Sequence, residues 1–362
     1  MKPLKILITG GGTGGHLFPG LAIAEAFEAN QACDIRFVGT QKGLEARVIP
    51  RTAFQLYTIP VSGLYRVGIK RTIATLLKLP LALLKSFWIL TRFRPHLVIG
   101  IGGYASGPLL ALSVLLRKNT VIQEQNAYPG MTNRMLGKYV DLAFIPFDSS
   151  KALFRHAVVV GNPIRKAIRE SSPATHQTPT AKTVIAIVGG SQGAHIINKS
   201  VAALLPLLSK RSETIKIIHQ SGQRDYDWLK TEYSGFPEIE ASVHEFIDDM
   251  VSLYQSSHLF ICRAGSMINE IIAMGKASIL IPIAISSGDH QKENALLMEK
   301  ANAAIMIEEK HLTPERLYET IDRLVSAPQQ LIDMGHQARS LYMGDSARKI
   351  VSTIQSHFRL DR

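Results

Sequence analysis

The amino-acid sequence predicts an α/β protein made of two Rossmann-like domains, each with a parallel sheet. Two observations lead to this prediction. Apolar strand-like runs alternate with helix-length segments, and two glycine-rich turns, at residues 10–15 and 189–193, lie about half a chain apart. A length of 362 residues is too great for one compact core and is sufficient for two α/β domains.

Each half of the chain contains its own series of apolar runs of strand length. In the first half we predict strands at residues 5–9, 35–38, 56–59, 97–101, 120–123, 142–145 and 158–160. In the second half we predict strands at residues 184–188, 215–219, 243–246, 259–262, 278–281 and 304–307. The segments between them are long enough for the crossover helices of a parallel sheet.

A domain boundary is predicted after Pro163, because Gly161-Asn162-Pro163 is followed by the polar residues 171–182, which are rich in proline and threonine. We therefore expect an N-terminal domain at residues 1–163 and a C-terminal domain at residues 164–340. Residues from 328 onward have helical character and no strand. We expect residues 341–362 to form a helix that packs back on the N-terminal domain.

The first glycine turn has the chemistry of an anion-binding site. Glycine lets a ligand approach the backbone closely, and the unpaired N–H groups and dipole of the following helix attract negative charge. Gly10, Gly12 and Gly15 satisfy the G-x-G-x-x-G pattern of dinucleotide-binding proteins. The second strand, however, ends at Thr40 without the acidic residue that binds the ribose of NAD or FAD, which argues against a dinucleotide.

The second glycine turn offers the same anion-binding chemistry with a serine in it. Gly189, Ser191 and Gly193 have the G-x-S-x-G spacing of a hydrolase nucleophile elbow, but we interpret Ser191 as a hydrogen-bond donor to phosphate. Asp225 and Asp227 resemble the carboxylate pair of metal-dependent sugar transferases. They follow Gly222 where a helix is expected to begin, so helix capping is the simpler interpretation.

Composition favours a folded protein with anionic partners. The formal net charge is +12 and the isoelectric point is near 9.7, which suits nucleotides, diphosphates, acidic lipids or nucleic acid. Cys33 and Cys262 lie far apart in apolar runs and offer neither a disulfide framework nor metal-ligand spacing. We expect a reducing cytosol and, since few apolar residues precede the first turn, no signal peptide.

A basic apolar stretch begins at Tyr65 and ends at Arg94. Seven basic residues alternate there with large apolar ones, and no acidic residue occurs. Because Lys78, Pro80 and Lys85 interrupt the apolar run, we expect it to lie on an anionic membrane surface rather than to span the membrane. The alternative is a crossover helix that packs on the sheet, and both interpretations can hold for different faces.

Several polar side chains follow predicted strands, at the edge where parallel sheets bind ligands. His16 ends the first turn and is a candidate general base, since an imidazole moves protons near neutral pH. The alternative for His16 is a plain helix-cap residue. Other polar groups lie at residues 123–126, 263–270 and 288–294. Glu270 is a candidate dipole partner or a ligand of ribose hydroxyls.

Seven motifs occur in order from the first strand to about residue 295. They are GGTGGH at 11–16 with FPG at 18–20, GGY at 102–104 with SGP at 106–108, EQN at 124–126, VGNP at 160–163 with Arg165, GGSQGA at 189–194, HQSG at 219–222 and FIDDM at 246–250. Together they resemble the MurG family of peptidoglycan glycosyltransferases. The segment from Arg263 to Glu270 is one residue shorter than the family's R-[SA]-G-A-x-T-x-x-E form.

The resemblance implies the GT-B fold, with two Rossmann-like parallel-sheet domains that face a cleft. It implies an inverting transferase that moves N-acetylglucosamine (GlcNAc) from UDP-GlcNAc to the C4 hydroxyl of N-acetylmuramic acid (MurNAc) in lipid I, which gives lipid II. No metal and no cofactor are implied. The expected partners are UDP-GlcNAc, lipid I and an anionic membrane surface, without nucleic acid, at the cytoplasmic face of the bacterial inner membrane.

The resemblance also implies site residues by position. Glu270 would hold the ribose hydroxyls, Gln291 the sugar, and the backbone at Ile247 the uracil. The donor-binding set is Thr13, Gly14, Gly15, Asn126, Arg165, Ser191, Ile247, Ser266, Met267, Glu270 and Gln291. The acceptor-diphosphate set is Gly12, Thr13, Gly14 and Tyr104. For the catalytic base we expect His16, with Glu124 as the reserve.

Two other classes of protein remain open at this point. A different GT-B enzyme, such as a diacylglycerol or flavonoid glucosyltransferase, would share the fold and Glu270 but gives no reason for the motifs at 11–16 and 102–104. A non-catalytic protein that binds nucleotides or docks on membranes would explain the basic apolar stretch and both turns, and would leave His16 without a catalytic task.

Overall fold

The computed structural model describes residues 3–61, 69–171, 182–189, 193–283 and 290–360. The chain divides into two compact units. The first unit comprises Met1–Lys166 and Met343–Arg362, and the second comprises Ala167–Tyr342. The last helix of the chain therefore belongs to the first unit, and the chain passes from one unit to the other near Lys166 and again near Tyr342.

Within the described residues, thirteen strands form two parallel sheets. The strands of the first unit are β1 (Leu4–Thr9), β2 (Cys33–Gly39), β3 (Gln55–Thr58), β4 (Leu97–Gly100), β5 (Asn119–Gln123), β6 (Leu142–Ile145) and β7 (Ala157–Val159). The strands of the second unit are β8 (Thr183–Val188), β9 (Ile215–Gln220), β10 (Glu240–His244), β11 (Leu259–Cys262), β12 (Ala277–Leu280) and β13 (Ala304–Met306).

The first eleven helices of the described residues lie between strands, and the last three follow the final strand. They are α1 (Gly14–Glu28), α2 (Glu45–Val48), α3 (Ile69–Phe93), α4 (Ser106–Leu115), α5 (Met131–Leu136), α6 (Lys166–Glu170), α7 (His195–Leu208), α8 (Tyr226–Ser234), α9 (Met250–Ser256), α10 (Met267–Met274), α11 (His290–Lys300), α12 (Pro314–Ser326), α13 (Pro328–Ser340) and α14 (Ser346–Phe358). Such strand–helix alternation is the source of the parallel pairing in both sheets.

The two sheets share one strand order. It is β3-β2-β1-β4-β5-β6-β7 in the first unit and β10-β9-β8-β11-β12-β13 in the second. The order reverses between β1 and β4 and between β8 and β11, and a doubly wound sheet binds its ligands beyond the carboxyl ends of the strands at that point. The fold is thus α/β with two Rossmann-like parallel-sheet domains, as the sequence predicts.

All thirteen predicted strands are confirmed, and the largest displacement is at β10. The apolar pattern places this strand at residues 243–246, whereas it runs over Glu240–His244. Its register is set by pairing with β9, from Glu240 opposite Lys216 to His244 opposite Gln220. Since β10 is an edge strand with a partner on one side alone, it needs few apolar side chains, and its polar start gives no hydrophobic signal.

The core of the first unit lies on both faces of its sheet. In β1, Ile6 and Ile8 pack with residues of α1 and α14 on one face, and Leu7 packs with residues of α3 and α4 on the other. Successive strand residues point to opposite faces, so a strand that is covered on both sides is apolar throughout. β8 shows the same feature in the second unit, where residues 185–188 are all buried.

The last helix, α14, packs against α1 in the first unit. Ile350 and Ile354 are fully buried, Asn30 Nδ2 donates to Gln355 Oε1 at 2.7 Å, and Ser346 Oγ donates to the Val160 carbonyl at 2.6 Å. α13 instead packs on α10 and β12 of the second unit. The helical tail that the sequence indicates is therefore shared between the two units.

Candidate functional site

The first glycine turn connects the carboxyl end of β1 to the start of α1. Gly10, Gly11 and Gly12 have φ angles of 147°, 135° and 89°, a backbone conformation that residues other than glycine rarely adopt. Thr13 is the N-cap residue, and α1 begins at Gly14. The first N–H groups of α1 have no intrahelical partner, so Gly14 and Gly15 present donors at the binding edge of the sheet.

His16 lies in the first turn of α1 and is oriented by two neighbours. The Thr13 hydroxyl is 3.0 Å from His16 Nδ1, which explains why the Thr13 side chain makes no capping bond of its own. A Cβ at Gly102 would lie 3.1 Å from His16 Nε2, so the glycine after β4 leaves room for the imidazole. Tyr104, 40% exposed, lies next to Gly12. The structure thus brings the Thr13, His16 and Tyr104 side chains to one edge.

Sequence reasoning missed Glu45, which lies behind the same turn. Its carboxylate is 1% exposed, and Glu45 Oε2 accepts a hydrogen bond from the Gly12 N–H at 2.7 Å. The Gly12 N–H is therefore already bonded, and the prediction that Gly12 binds the acceptor diphosphate does not fit this geometry. The one signal in the sequence is that Glu45 follows two glycines, Gly39 and Gly43. The contact between Glu45 and Gly12 spans 33 positions, so local patterns do not indicate it.

Glu124 is buried and is surrounded by hydrogen-bond donors. It is 1% exposed. Its Oε1 accepts from the N–H groups of Gln125 and Asn126 and from Asn126 Nδ2, and its Oε2 accepts from the Gly130 N–H and Asn133 Nδ2. Both oxygens of the buried carboxylate are therefore already engaged by groups of the protein. Its contacts instead fix Asn126 and the loop after β5.

The second glycine turn lies between β8 and α7, and its described residues are Gly189 and Gly193. β8 ends at Val188, Gly193 has a φ of 74°, and α7 begins at His195. A Cβ at Gly193 would lie 2.5 Å from the Ser221 carbonyl, so a side chain has no space there. Ser191 lies outside the described residues. The start of α7 again presents backbone donors at the reversal of the strand order.

A polar network supports the second turn from β9. His195 Nδ1 is 3.0 Å from Asp225 Oδ2, and Asn198 Nδ2 donates both to that oxygen and to the Ser221 carbonyl. His219 Nε2 is 3.1 Å from Asn198 Oδ1. Burial lowers the pKa of His219 to about 3, against a smaller opposing effect of Asp225. His219 is therefore a neutral structural residue of the HQSG motif, and Asp225 belongs to this network.

The other residues of the second unit that are predicted to bind UDP-GlcNAc lie along the same edge of the sheet. The Tyr254 hydroxyl donates to Glu270 Oε2 at 2.9 Å, which holds the carboxylate in the first turn of α10. Ser266 and Met267 form the start of α10. Gln291 lies beside Gly265 and accepts from the Ile283 N–H at 3.1 Å. The structure thus brings residues 265–270 and Gln291 together.

Ile247 and Arg165, both predicted to bind UDP-GlcNAc, have neighbours that restrict the contacts they can make. The Ile247 N–H donates to Gln220 Oε1 at 2.9 Å, so a contact between the Ile247 backbone and a base would use the carbonyl. Arg165 belongs to the first unit, where its guanidinium lies 5.2 Å from the ring centroid of Phe18 in α1. The structure does not place Arg165 in the unit that holds Glu270.

Three properties of the described residues bear on metal binding, membrane spanning and disulfide formation. In the described ranges, no three His, Cys, Asp or Glu side chains lie close enough together to hold a metal ion. Among the described helices, none has the length and apolar character needed to cross a membrane. Cys33 and Cys262 are free thiols.

Two Rossmann-like parallel-sheet units, each with a glycine turn before a helix, correspond to the GT-B fold, on which many glycosyltransferases are built. The N-terminal domain of glycosyltransferase family 28 matches residues 6–145, and its C-terminal domain matches residues 184–354. The chain belongs to this family, and within it to the MurG glycosyltransferases.

Individual relatives match over nearly the whole chain. The UDP-N-acetylglucosamine--N-acetylmuramyl-(pentapeptide) pyrophosphoryl-undecaprenol N-acetylglucosamine transferase of Syntrophus aciditrophicus is 43% identical over 99% of both chains. The protein of that name from Myxococcus xanthus is 40% identical over 96% of this chain and 91% of its own. The crystal structure of Acinetobacter baumannii MurG has a TM-score of 0.79 at 28% identity and covers 98% of this chain and 100% of its own.

The burial of His219 predicts an acid-sensitive second unit. The pKa of His219 in the folded state lies below the value of about 6.5 expected in the unfolded state. Below a pH of about 6.5 the unfolded state therefore binds a proton that the folded state does not bind. The free energy of unfolding should fall by up to about 1.4 kcal/mol per pH unit between pH 6 and pH 4. Denaturation followed by Trp228 fluorescence in a Trp88→Phe background measures this slope.

His219→Gln should flatten that slope, and His244→Gln, which changes an exposed histidine of the same unit, should leave it as it is. If the His219→Gln and parent proteins lose stability equally with acid, His219 does not titrate as described.

Proposed function

We propose that the chain transfers GlcNAc from UDP-GlcNAc to the lipid-linked MurNAc-pentapeptide, with the donor bound by the second unit and the acceptor by the first. The observation that carries this proposal is the pair of glycine turns, each at a helix N-terminus on the binding edge of its sheet, of which the first is followed directly by His16. Membership of the MurG glycosyltransferases and the activity for which the relatives are named support it.

The proposed donor site uses backbone donors and one carboxylate. Breaking the bond between sugar and UDP leaves a diphosphate whose growing charge must be stabilised, and the N–H groups and dipole at the start of α7 supply that stabilisation. Glu270, held by Tyr254, would accept hydrogen bonds from both ribose hydroxyls, and Gln291 beside Gly265 would bind the sugar. Ser191 would add a donor to the diphosphate.

Removal of the Glu270 carboxylate should weaken donor use. Glu270→Ala should raise KM for UDP-GlcNAc at least about tenfold, since each charge-assisted hydrogen bond contributes roughly 1.5 to 3 kcal/mol. Tyr254→Phe should have a smaller effect in the same direction, and Glu315→Ala, an exposed position on α12, should have none. Initial rates with labelled UDP-GlcNAc and a lipid-linked acceptor measure these values.

A dTDP-linked donor, which lacks the ribose 2′-hydroxyl, should be used poorly by the parent protein. Equal KM values for the UDP and dTDP forms would show that Glu270 does not bind the ribose.

The proposed transfer step is a single displacement with inversion. The C4 hydroxyl of MurNAc attacks the anomeric carbon, the bond from that carbon to the β-phosphate oxygen breaks, and UDP leaves with the bonding electrons. The hydroxyl proton passes to His16, since Glu124 is buried and both of its oxygens are engaged by donors of the protein. The acceptor diphosphate would bind the N–H groups of Gly14 and Gly15 with Thr13 and Tyr104, rather than that of Gly12.

Loss of the base should slow turnover without weakening donor binding. His16→Ala should lower kcat by ~10²- to 10⁴-fold, and His16→Asn, which keeps polarity without basicity, should be nearly as slow. A base loses activity as it is protonated, so the acid limb of the pH profile should disappear in both variants. His357→Ala, an exposed histidine of α14, is the control. An acid limb and kcat unchanged in His16→Ala would remove His16 from the mechanism.

The proposed membrane surface lies on α3, which has two faces. Its buried face is formed by Ala82, Ser86, Ile89 and Phe93, at spacings of four, three and four residues. At the same spacings, the opposite face exposes large apolar side chains: Leu77 by 73%, Leu81 by 59%, Leu84 by 67% and Trp88 by 54%. The buried face fits a crossover helix that packs on the sheet, and the exposed face supports the proposed membrane surface. Tyr65 and the residues up to 68 lie outside the described part.

Basic residues flank the exposed apolar face of α3. Lys78, Lys85 and Arg92 recur every seven residues and are exposed. Since 3.6 residues make one turn, they form a row beside the apolar face. Exposed leucine and tryptophan next to a row of cations fit a surface that inserts shallowly into an anionic leaflet. Such binding would hold the enzyme at the cytoplasmic face of the inner membrane, where its lipid-linked acceptor lies.

Charge reversal on α3 should abolish vesicle binding. Each basic residue near an anionic surface contributes about 1 kcal/mol and is screened by salt, so Lys78→Glu/Lys85→Glu should not sediment with anionic vesicles at a salt concentration where the parent protein does. UDP affinity should be unchanged. Lys210→Glu/Lys230→Glu carries the same charge change in the second unit and should still bind. Undiminished binding of the α3 variant would contradict the proposed surface.

A further inference from the structure

The Glu45 carboxylate is a buried charge that touches the first glycine turn from behind. We propose that Glu45 is a positioning residue, which fixes the turn at Gly12 and thereby sets the orientation of Thr13 and the His16 ring. The inference rests on the proposed function, in which His16 is the base.

The contacts of Glu45 join three segments of the first unit. Oε1 accepts from the N–H and the hydroxyl of Thr40, both at 2.8 Å, and Oε2 accepts from the Gly12 N–H at 2.7 Å. The Thr40 hydroxyl in turn accepts from the Gly43 N–H at 3.0 Å. The carboxylate thus ties the end of β2 and the start of α2 to the turn that follows β1.

Three glycines make the space that the carboxylate occupies. A Cβ at Gly11, Gly39 or Gly43 would lie 2.5, 2.4 or 2.2 Å from an atom of the Glu45 side chain, closer than any Cβ can approach. Gly11 also has a φ of 135°. The absence of side chains at these positions is therefore explained by Glu45 itself, and Gly11 in the first turn serves the carboxylate as well as any ligand.

The line of contacts from Glu45 ends at the imidazole. Gly12 is held by Glu45, Thr13 follows it directly, and the Thr13 hydroxyl lies 3.0 Å from His16 Nδ1. All groups that Glu45 meets in these contacts are donors, so the ionised carboxylate matches them and makes charge-assisted hydrogen bonds. Its negative charge also opposes an anion at Gly12 and leaves the N–H groups of Gly14 and Gly15 as the place for the acceptor diphosphate.

Glu45→Gln tests the inference because the amide keeps the shape of the side chain but no longer has an oxygen acceptor at both positions. An amide cannot accept at both oxygen positions, so its NH₂ group would face either Gly12 or Thr40, donor against donor. We expect kcat to fall about 100-fold, the effect of a displacement of about 1 Å at a catalytic group, with KM for UDP-GlcNAc unchanged. Glu45→Asp, which keeps the charge but is too short to reach both Gly12 and Thr40, should give the same loss if the glutamine variant folds poorly.

The decisive measurement is a double-mutant cycle with His16→Asn. If Glu45 acts through His16, Glu45→Gln should change kcat less than threefold in the His16→Asn background, whereas independent effects would multiply. Asp141→Asn is the matched control. Asp141 Oδ2 accepts from the N–H and hydroxyl of Thr120, both at 2.8 Å, near the start of β5 and away from the turn. Loss of the carboxylate that accepts these two hydrogen bonds should leave kcat unchanged.

A second measurement remains valid even if the parent protein transfers no GlcNAc, which would refute the proposed function. In protein labelled with ¹⁵N-histidine, the His16 ring signals should shift in Glu45→Gln and stay in place in Asp141→Asn. Multiplying effects in the cycle, or His16 signals identical to those of the parent, would overturn the inference.

Discussion

Parallel pairing of strands is the constraint on which the site depends. It brings the carboxyl ends of all strands in a sheet to one edge, where the chain leaves each strand and turns toward the next helix. At the centre of each sheet, where the strand order reverses, the turn after β1 or β8 is rich in glycine, because only glycine adopts the positive φ angles and allows the close packing found there. The unpaired N–H groups at the starts of α1 and α7 follow from the same geometry.

Buried carboxylates hold this edge in place in the first unit. Glu45 fixes the turn before α1, and Glu124 fixes the loop after β5, in each case through donors that belong to the backbone or to neutral side chains. Asp225 has a similar task in the second unit, where it holds His195 and Asn198. Carboxylates that accept several hydrogen bonds make rigid supports, because each bond fixes the position of its donor. The catalytic task in the proposed mechanism therefore falls to His16.

The fold was predictable from local patterns, whereas the supports of the site were not. Apolar runs located every strand, and only the polar edge strand β10 was displaced. Glycine spacing located both turns. The engagement of Gly12 by Glu45 depends on a contact between distant parts of the chain, and nothing in the sequence near Gly12 indicates it. Glu124 has the residue type of a base, and its burial and donors, which only the fold supplies, argue against that role. For α3, helical spacing separates a buried face from an exposed apolar face, and membrane binding by the exposed face stays a prediction.

The proposed mechanism requires the second unit to hold the UDP moiety of the donor. Amide hydrogen–deuterium exchange with and without UDP tests it most directly, since ligand contacts slow exchange in the segments that they order. UDP should slow exchange at residues 217–222 and 263–270 and leave residues 10–17 as they are in the free protein. Slowed exchange at residues 10–17, with no change at 217–222 and 263–270, would contradict the claim.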